Sequence, residues 1–114
     1  MKKDGKGWLI NMRRDRNELK ALKNERLCPV CGETTLKYYT DICLVCGWEH
    51  DFLQSDDHNL DKVANNLSVN DAKEWFNLKR TLDPNYRWED YSRADGNPTK
   101  DDLENLRIKV KGKD

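Results

Sequence analysis

Three features of this sequence predict a small α+β fold. Two cysteine pairs, Cys28-Pro29-Val30-Cys31 and Cys43-Leu44-Val45-Cys46, are each followed by glycine and flank a β-branched, aromatic stretch from Thr34 to Thr40. Apolar residues at helical spacing recur downstream, at Val69, Ala72, Trp75 and Phe76. The 114 residues are 37% charged and 36% hydrophobic, so the core is expected to be small and in need of a cross-link. Together these features predict a zinc-ribbon-like β-hairpin with two C-x-x-C knuckles, packed with two to three α-helices.

In chain order, the first seven residues hold two glycines and four charges and are expected to fray. Trp8-Leu9-Ile10 gives a short apolar anchor. Asn11 to Arg26 is rich in helix formers and free of proline and glycine, with Met12, Leu19 and Leu22 on one stripe. Residues 1–26 therefore read as a basic helical arm. Residues 27–80 read as the metal module with its following helix. Thr34 to Thr40 suits a strand, and Gln54 to Asn66 is polar, with a loop at 55–59. Ser68 is placed to cap a helix running to about Arg80, with Asp71 in its first turn and Asp83-Pro84-Asn85 as its stop.

Residues 81–114 read as an extension. Tyr86-Arg87-Trp88-Glu89-Asp90-Tyr91 has near-alternating aromatics and suits a strand or an extended packing segment. Gly96-Asn97-Pro98-Thr99 is a turn, after which Thr99 caps a short helix through Leu103 and Leu106. The basic tail from Ile108 to Asp114 is expected to be mobile.

A net charge of zero hides a polarity. Residues 1–27 carry nine Lys or Arg against four acids, and residues 28–61 carry one Lys against seven acids. Such neighbours can dock on one another or serve two partners. The start of the chain lacks the apolar run of a secretory signal, and no stretch reaches the roughly 20 apolar residues of a membrane span. A cytoplasmic protein with reduced thiols and no membrane contact is expected.

Thiolates at C-x-x-C spacing can grip one ion from a single tight turn, and a glycine after the pair supplies the positive φ that the turn needs. Cys28, Cys31, Cys43 and Cys46 are thus the expected metal ligands, in a closed structural Zn²⁺ site with no open position. A four-sulfur iron site and a thioredoxin-type redox pair are the alternatives, since Cys28-Pro29-Val30-Cys31-Gly32 also resembles the metal turns of rubredoxin. His50 and His58, near several acids, are read as solvated loop residues rather than as a second metal centre. Trp48 is read as core packing. No nucleophile–base arrangement or phosphate loop stands out, so no catalytic residues are assigned and an enzyme is not expected.

The cysteine pairs together with Tyr39-Thr40-Asp41-Ile42 and Gly47-Trp48-Glu49-His50-Asp51 resemble the bacterial cysteine-rich CPCC family. The likeness extends through Gln54, Ala64-Asn65 and Leu67-Ser68 to Ala72, over about residues 27–80. It implies a small zinc-binding domain of unassigned activity. Val30 replaces the cysteine that would complete a C-P-C-C run, and His50 stands where the family tends to carry an acid.

Two partner classes are expected. A protein with a basic surface would meet the acidic module, with Glu49, Asp51, Asp56 and Asp57 as its charges and Trp48, Phe52, Trp75 and Trp88 as interface aromatics. An immunity role, neutralising a cationic toxin, would fit. Alternatively, nucleic acid would be held by Arg13, Arg14, Arg16, Lys20, Lys23 and Arg26 of the arm. A rubredoxin-like electron carrier is the third expectation.

Overall fold

The structure, a computed structural model, describes residues 26–112. Their order is β1 (Arg26–Leu27), β2 (Thr35–Leu36), α1 (Phe52–Asp56), α2 (Val69–Leu82), α3 (Trp88–Tyr91) and α4 (Lys100–Gly112). This is a small α+β arrangement: a two-stranded antiparallel hairpin, four helices and a cluster of four cysteines. None of the described helices is long and apolar enough to cross a membrane.

β1 and β2 pair with Arg26 opposite Leu36 and Leu27 opposite Thr35, and the first cysteine turn lies between them. The second cysteine turn is enclosed in the same manner by an antiparallel bridge from Ile42 to Glu49. β2 stops at Leu36 instead of reaching Thr40. The Asp41 carboxylate takes the N–H groups of Lys37 (3.0 Å) and Tyr38 (2.9 Å), and a side chain that captures backbone donors competes with the ladder. Arg26, expected as the last residue of the helical arm, is a strand residue. The remainder of that arm lies outside the described residues.

A helix replaces the start of the expected polar loop. Asp51 caps α1 by accepting from the Gln54 N–H at 3.1 Å, and Gln54 turns inward. Its Nε2 donates to the carbonyls of Leu60 (3.0 Å), Asn65 (3.2 Å) and Leu67 (3.0 Å). Its Oε1 accepts from the Asn65 N–H (3.1 Å) and Nδ2 (2.9 Å). A chain segment without ladder partners thereby has its polar backbone satisfied. Asn65 also donates to the Glu49 carbonyl at 2.8 Å and accepts from the Glu49 N–H at 2.9 Å, so the network fastens the end of the second cysteine turn.

α2 follows the sequence closely. The Ser68 hydroxyl accepts from the Asp71 N–H at 3.1 Å, a cap that contributes about 1 kcal/mol. Val69, Ala72, Trp75 and Phe76 are buried along one face. The helix ends at Leu82, with Asp83 as its C-cap. Tyr86 packs edge-on to Trp75 and Phe76, with ring centroids 5.9 and 6.2 Å apart.

The extension departs from expectation twice. Residues 88–91 form the single turn α3, not a strand, because the Trp88 and Glu89 N–H groups bond to carbonyls of the second cysteine turn. Glu89 and Asp90 in that turn suit a helix start. The expected mobile tail is the second half of α4, which runs to Gly112 with Lys109 and Lys111 favourably placed in its last turn. Thr99 and Asp102 form a reciprocal capping box, with Thr99 N–H to Asp102 Oδ2 at 2.9 Å and Asp102 N–H to Thr99 Oγ1 at 3.2 Å. Leu103 and Leu106 are buried where α4 packs on α2, and Arg107 grips Glu74 across that interface at 2.6 and 2.7 Å.

Candidate metal centre

The two cysteine turns are built alike. Gly32 and Gly47 hold φ of 69° and 84°, the left-handed region that glycine enters without Cβ strain. In each turn the glycine N–H bonds the first cysteine's carbonyl, Gly32 to Cys28 at 2.9 Å and Gly47 to Cys43 at 2.7 Å. The first cysteine's own N–H then reaches across, Cys28 to Thr34 O at 2.9 Å and Cys43 to Trp48 O at 2.8 Å.

Facing one another, the turns bring all four Sγ atoms within 4.8 Å of each other. Cys28 Sγ lies 3.5 Å from Cys46 Sγ, and Cys31 Sγ lies 3.6 Å from Cys43 Sγ. Those separations are far beyond a disulfide of about 2.05 Å, and the cysteines are free. A tetrahedron with metal–sulfur bonds of about 2.3 Å has edges of about 3.8 Å. The quartet therefore fits a single tetrahedral metal ion, with Cys28, Cys31, Cys43 and Cys46 all brought together as expected.

Two further groups orient the sulfurs. The Thr34 hydroxyl donates to Cys43 Sγ at 2.9 Å, and the Glu33 N–H donates to Cys31 Sγ at 3.4 Å. Thr34 was legible only as a strand former; its ligand-facing role depends on a fold-back that spacing alone does not show. Glu33 also bonds Arg80 of α2 at 2.6 Å, and Arg80 Nε donates to Tyr86 O at 3.1 Å, which joins the first turn to the helix behind it.

Crowding sets the thiols against one another. Hydrogen bonding with Cys28 holds Cys31 and Cys43 below the usual thiol range, and the Thr34 hydroxyl adds to this at Cys43. Cys28 is pushed up by its hydrogen bonds with Cys31 and Cys43, Cys46 by those with its three neighbours, and both by burial. A bound cation removes this conflict by letting all four sulfurs carry charge together. An ion held by all four sulfurs would have no position left for water or substrate.

Several surrounding residues are placed differently from expectation. His50 is no solvated loop residue: it is 1% exposed, its ring edge-on to Phe52 at 4.9 Å, and burial pushes its pKa down. Both of its ring nitrogens lack a hydrogen-bond partner. His58 is exposed, and the cysteine quartet is the one metal-ligand cluster found among the described residues. Asp51 is fully buried, its carboxylate bonded to the N–H groups of Gln54 and Ala64, so it offers no charge to a partner. Trp48 is a core residue, in line with its reading as core packing; Trp75 is a core residue too, and Trp88 packs against Gly47. Of the four aromatics expected at an interface, Phe52 alone is at the surface, where Tyr39 stacks on it at 5.2 Å.

Residues 26–81 match the family described as cysteine-rich CPCC. Comparison with curated proteins and with solved structures gave no match.

Proposed function

Residues 26–81 of this chain belong to the cysteine-rich CPCC family, and from that premise we propose a non-catalytic zinc-binding module that recognises a protein with a basic surface. The observation that carries the reading is the division of labour among the side chains. All four cysteines are committed to one closed cluster, while aromatic and acidic groups stand outside it. Tyr38, Tyr39 and Phe52 are 57%, 52% and 39% exposed, and Asp56 and Asp57 are exposed nearby in the chain. Exposed aromatics beside charge are the groups that anchor a specific interface.

The zinc-ribbon-like hairpin is a scaffold in this reading. The Asp41 carboxylate holds the turn that presents Tyr38 and Tyr39, and the Asp51 cap holds Phe52 at the start of α1. Zinc is the ion of choice because a tetrahedral all-thiolate site with no open position suits a metal that needs neither redox change nor exchange. A colourless protein with one zinc per chain is the expected result; a visible thiolate-to-iron band would assign an electron carrier instead.

For the interface, the charge-neutralised variant Asp56→Asn/Asp57→Asn and the aromatic variant Tyr39→Ala/Phe52→Ala test the face without touching the cluster. Each is expected to lower capture of the native partner from source cells at least tenfold, with metal content and near-UV circular dichroism preserved. Capture through the acids should also weaken as salt is raised toward 0.5 M. Undiminished capture by both variants would contradict the proposed face.

A further inference from the structure

The second cysteine turn has a clamp for which the first has no counterpart among the described residues. Its two intervening residues, Leu44 and Val45, point their carbonyls at the extension. Trp88 N–H donates to Val45 O at 2.8 Å, and Glu89 N–H donates to Leu44 O at 2.9 Å. Above them the Trp88 indole lies against Gly47 so closely that an added Cβ there would sit 2.6 Å from Nε1 and 2.7 Å from Cγ. Among the described residues, Pro29 and Val30 of the first turn receive no corresponding pair of backbone bonds.

The indole is itself anchored. Its Nε1–H donates to Asp95 O at 3.1 Å. The Asp95 carboxylate accepts from the Tyr86 hydroxyl at 2.9 Å and pairs with Lys79 of α2 at 3.1 Å. Tyr86 is buried against Trp75 and Phe76. Residues 86–95 thus form a closed strap from α2 to the second cysteine turn, and all of them lie beyond the family-matched segment, which ends at 81.

We infer that residues 86–95 are a latch on the metal centre, with Trp88 the positioning residue that keeps Cys43 and Cys46 in their gripping geometry. A C-x-x-C turn releases its ion by swinging its sulfurs apart, which requires the intervening carbonyls and the following glycine to move. The latch bonds both carbonyls and blocks the glycine. Release then begins at the first turn, where Cys31 is the most exposed of the four ligands. This rests on an ion in the cysteine cluster and on neither the proposed partner nor the identity of the metal.

The test uses the full chain loaded with Co²⁺ and a chelator in excess. Trp88→Ala is expected to release the metal at least tenfold faster than the unaltered protein. Its cobalt d–d bands should shift, since the two ligands lose their fixed geometry. Leu106→Ala, a core truncation in α4 with no bond to either cysteine turn, is the comparator and should leave the bands in place. Trp88→Phe, which keeps a ring but loses the Asp95 bond, should fall between Trp88→Ala and the unaltered protein, and it serves if Trp88→Ala does not fold. Gly47→Ala should speed release in the unaltered protein, and by a smaller factor once Trp88 is removed, because the clash is gone. Release rates within twofold of the unaltered protein for the tryptophan variant measured, or glycine and tryptophan effects that simply multiply, would overturn the latch.

Discussion

Replacing Cys43 with serine is expected to abolish metal retention and, with it, the cooperative fold of residues 26–112. Cys43 is 1% exposed, and its Sγ receives the Thr34 hydroxyl at 2.9 Å and faces Cys31 Sγ at 3.6 Å. Its loss removes a ligand and leaves three crowded thiols whose charges nothing balances. Structural zinc sites bind with roughly 10–16 kcal/mol in small peptides, which matches or exceeds the 5–15 kcal/mol that holds a typical domain together. Three of the four cysteines are themselves core residues, so the cluster cannot fail without opening the core. Metal analysis and far-UV circular dichroism on heating provide the check. The variant should carry no stoichiometric metal and show no sharp melt, whereas Leu44→Ser on the exposed face of the same turn should melt like the unaltered protein.

Gln54→Ala is expected to cost about 3–5 kcal/mol, a loss on the scale of truncating a large core side chain. The amide satisfies the carbonyls of Asn65 and Leu67 in buried bonds, the half-buried carbonyl of Leu60 and two donors of Asn65, and no neighbouring group can take over all five bonds. Each buried polar group left unpaired costs roughly 1–3 kcal/mol, and shared donors make these costs partly overlapping. Urea unfolding of the metal-loaded protein measures the effect directly. Leu53→Ala, at the exposed neighbouring position, should change stability by less than about 0.5 kcal/mol. A Gln54→Ala midpoint equal to that of Leu53→Ala would contradict the role assigned to the amide.

How much of this was legible in the sequence depended on whether the signal was local. The cysteine turns were, because two thiols, their spacing and a glycine specify one turn. So was α2, where the Ser68 cap, the apolar stripe and the Asp83-Pro84 stop agree. The turn at 96–99 and the Thr99 cap were visible for the same reason.

What the sequence hid was decided by distant partners. Gln54 read as loop polarity and Asp51 as a partner-facing charge because nothing local shows that backbone groups eleven to thirteen residues away need them. His50 read as solvated because the ring of Phe52 that covers it is an exposed-looking residue in the chain. Alternating aromatics at 86–91 suggested a strand, yet the segment's donors go to Leu44 and Val45, some forty residues earlier, and a single helical turn aims them. The acidic half of the charge segregation is smaller on the described surface than in composition. Asp51 is buried and Glu33 is paired with Arg80, which leaves fewer acids for a partner than seven against one lysine implied.

The central claim is that four cysteines hold one structural metal ion and nothing else coordinates it. X-ray absorption at the edge of the metal carried by the isolated full-length protein tests this most directly. The account predicts four sulfur scatterers at about 2.3 Å and no lighter donor in the shell. A shell containing nitrogen or oxygen would contradict it, because the ion would then have a ligand from outside the quartet or an open position for chemistry.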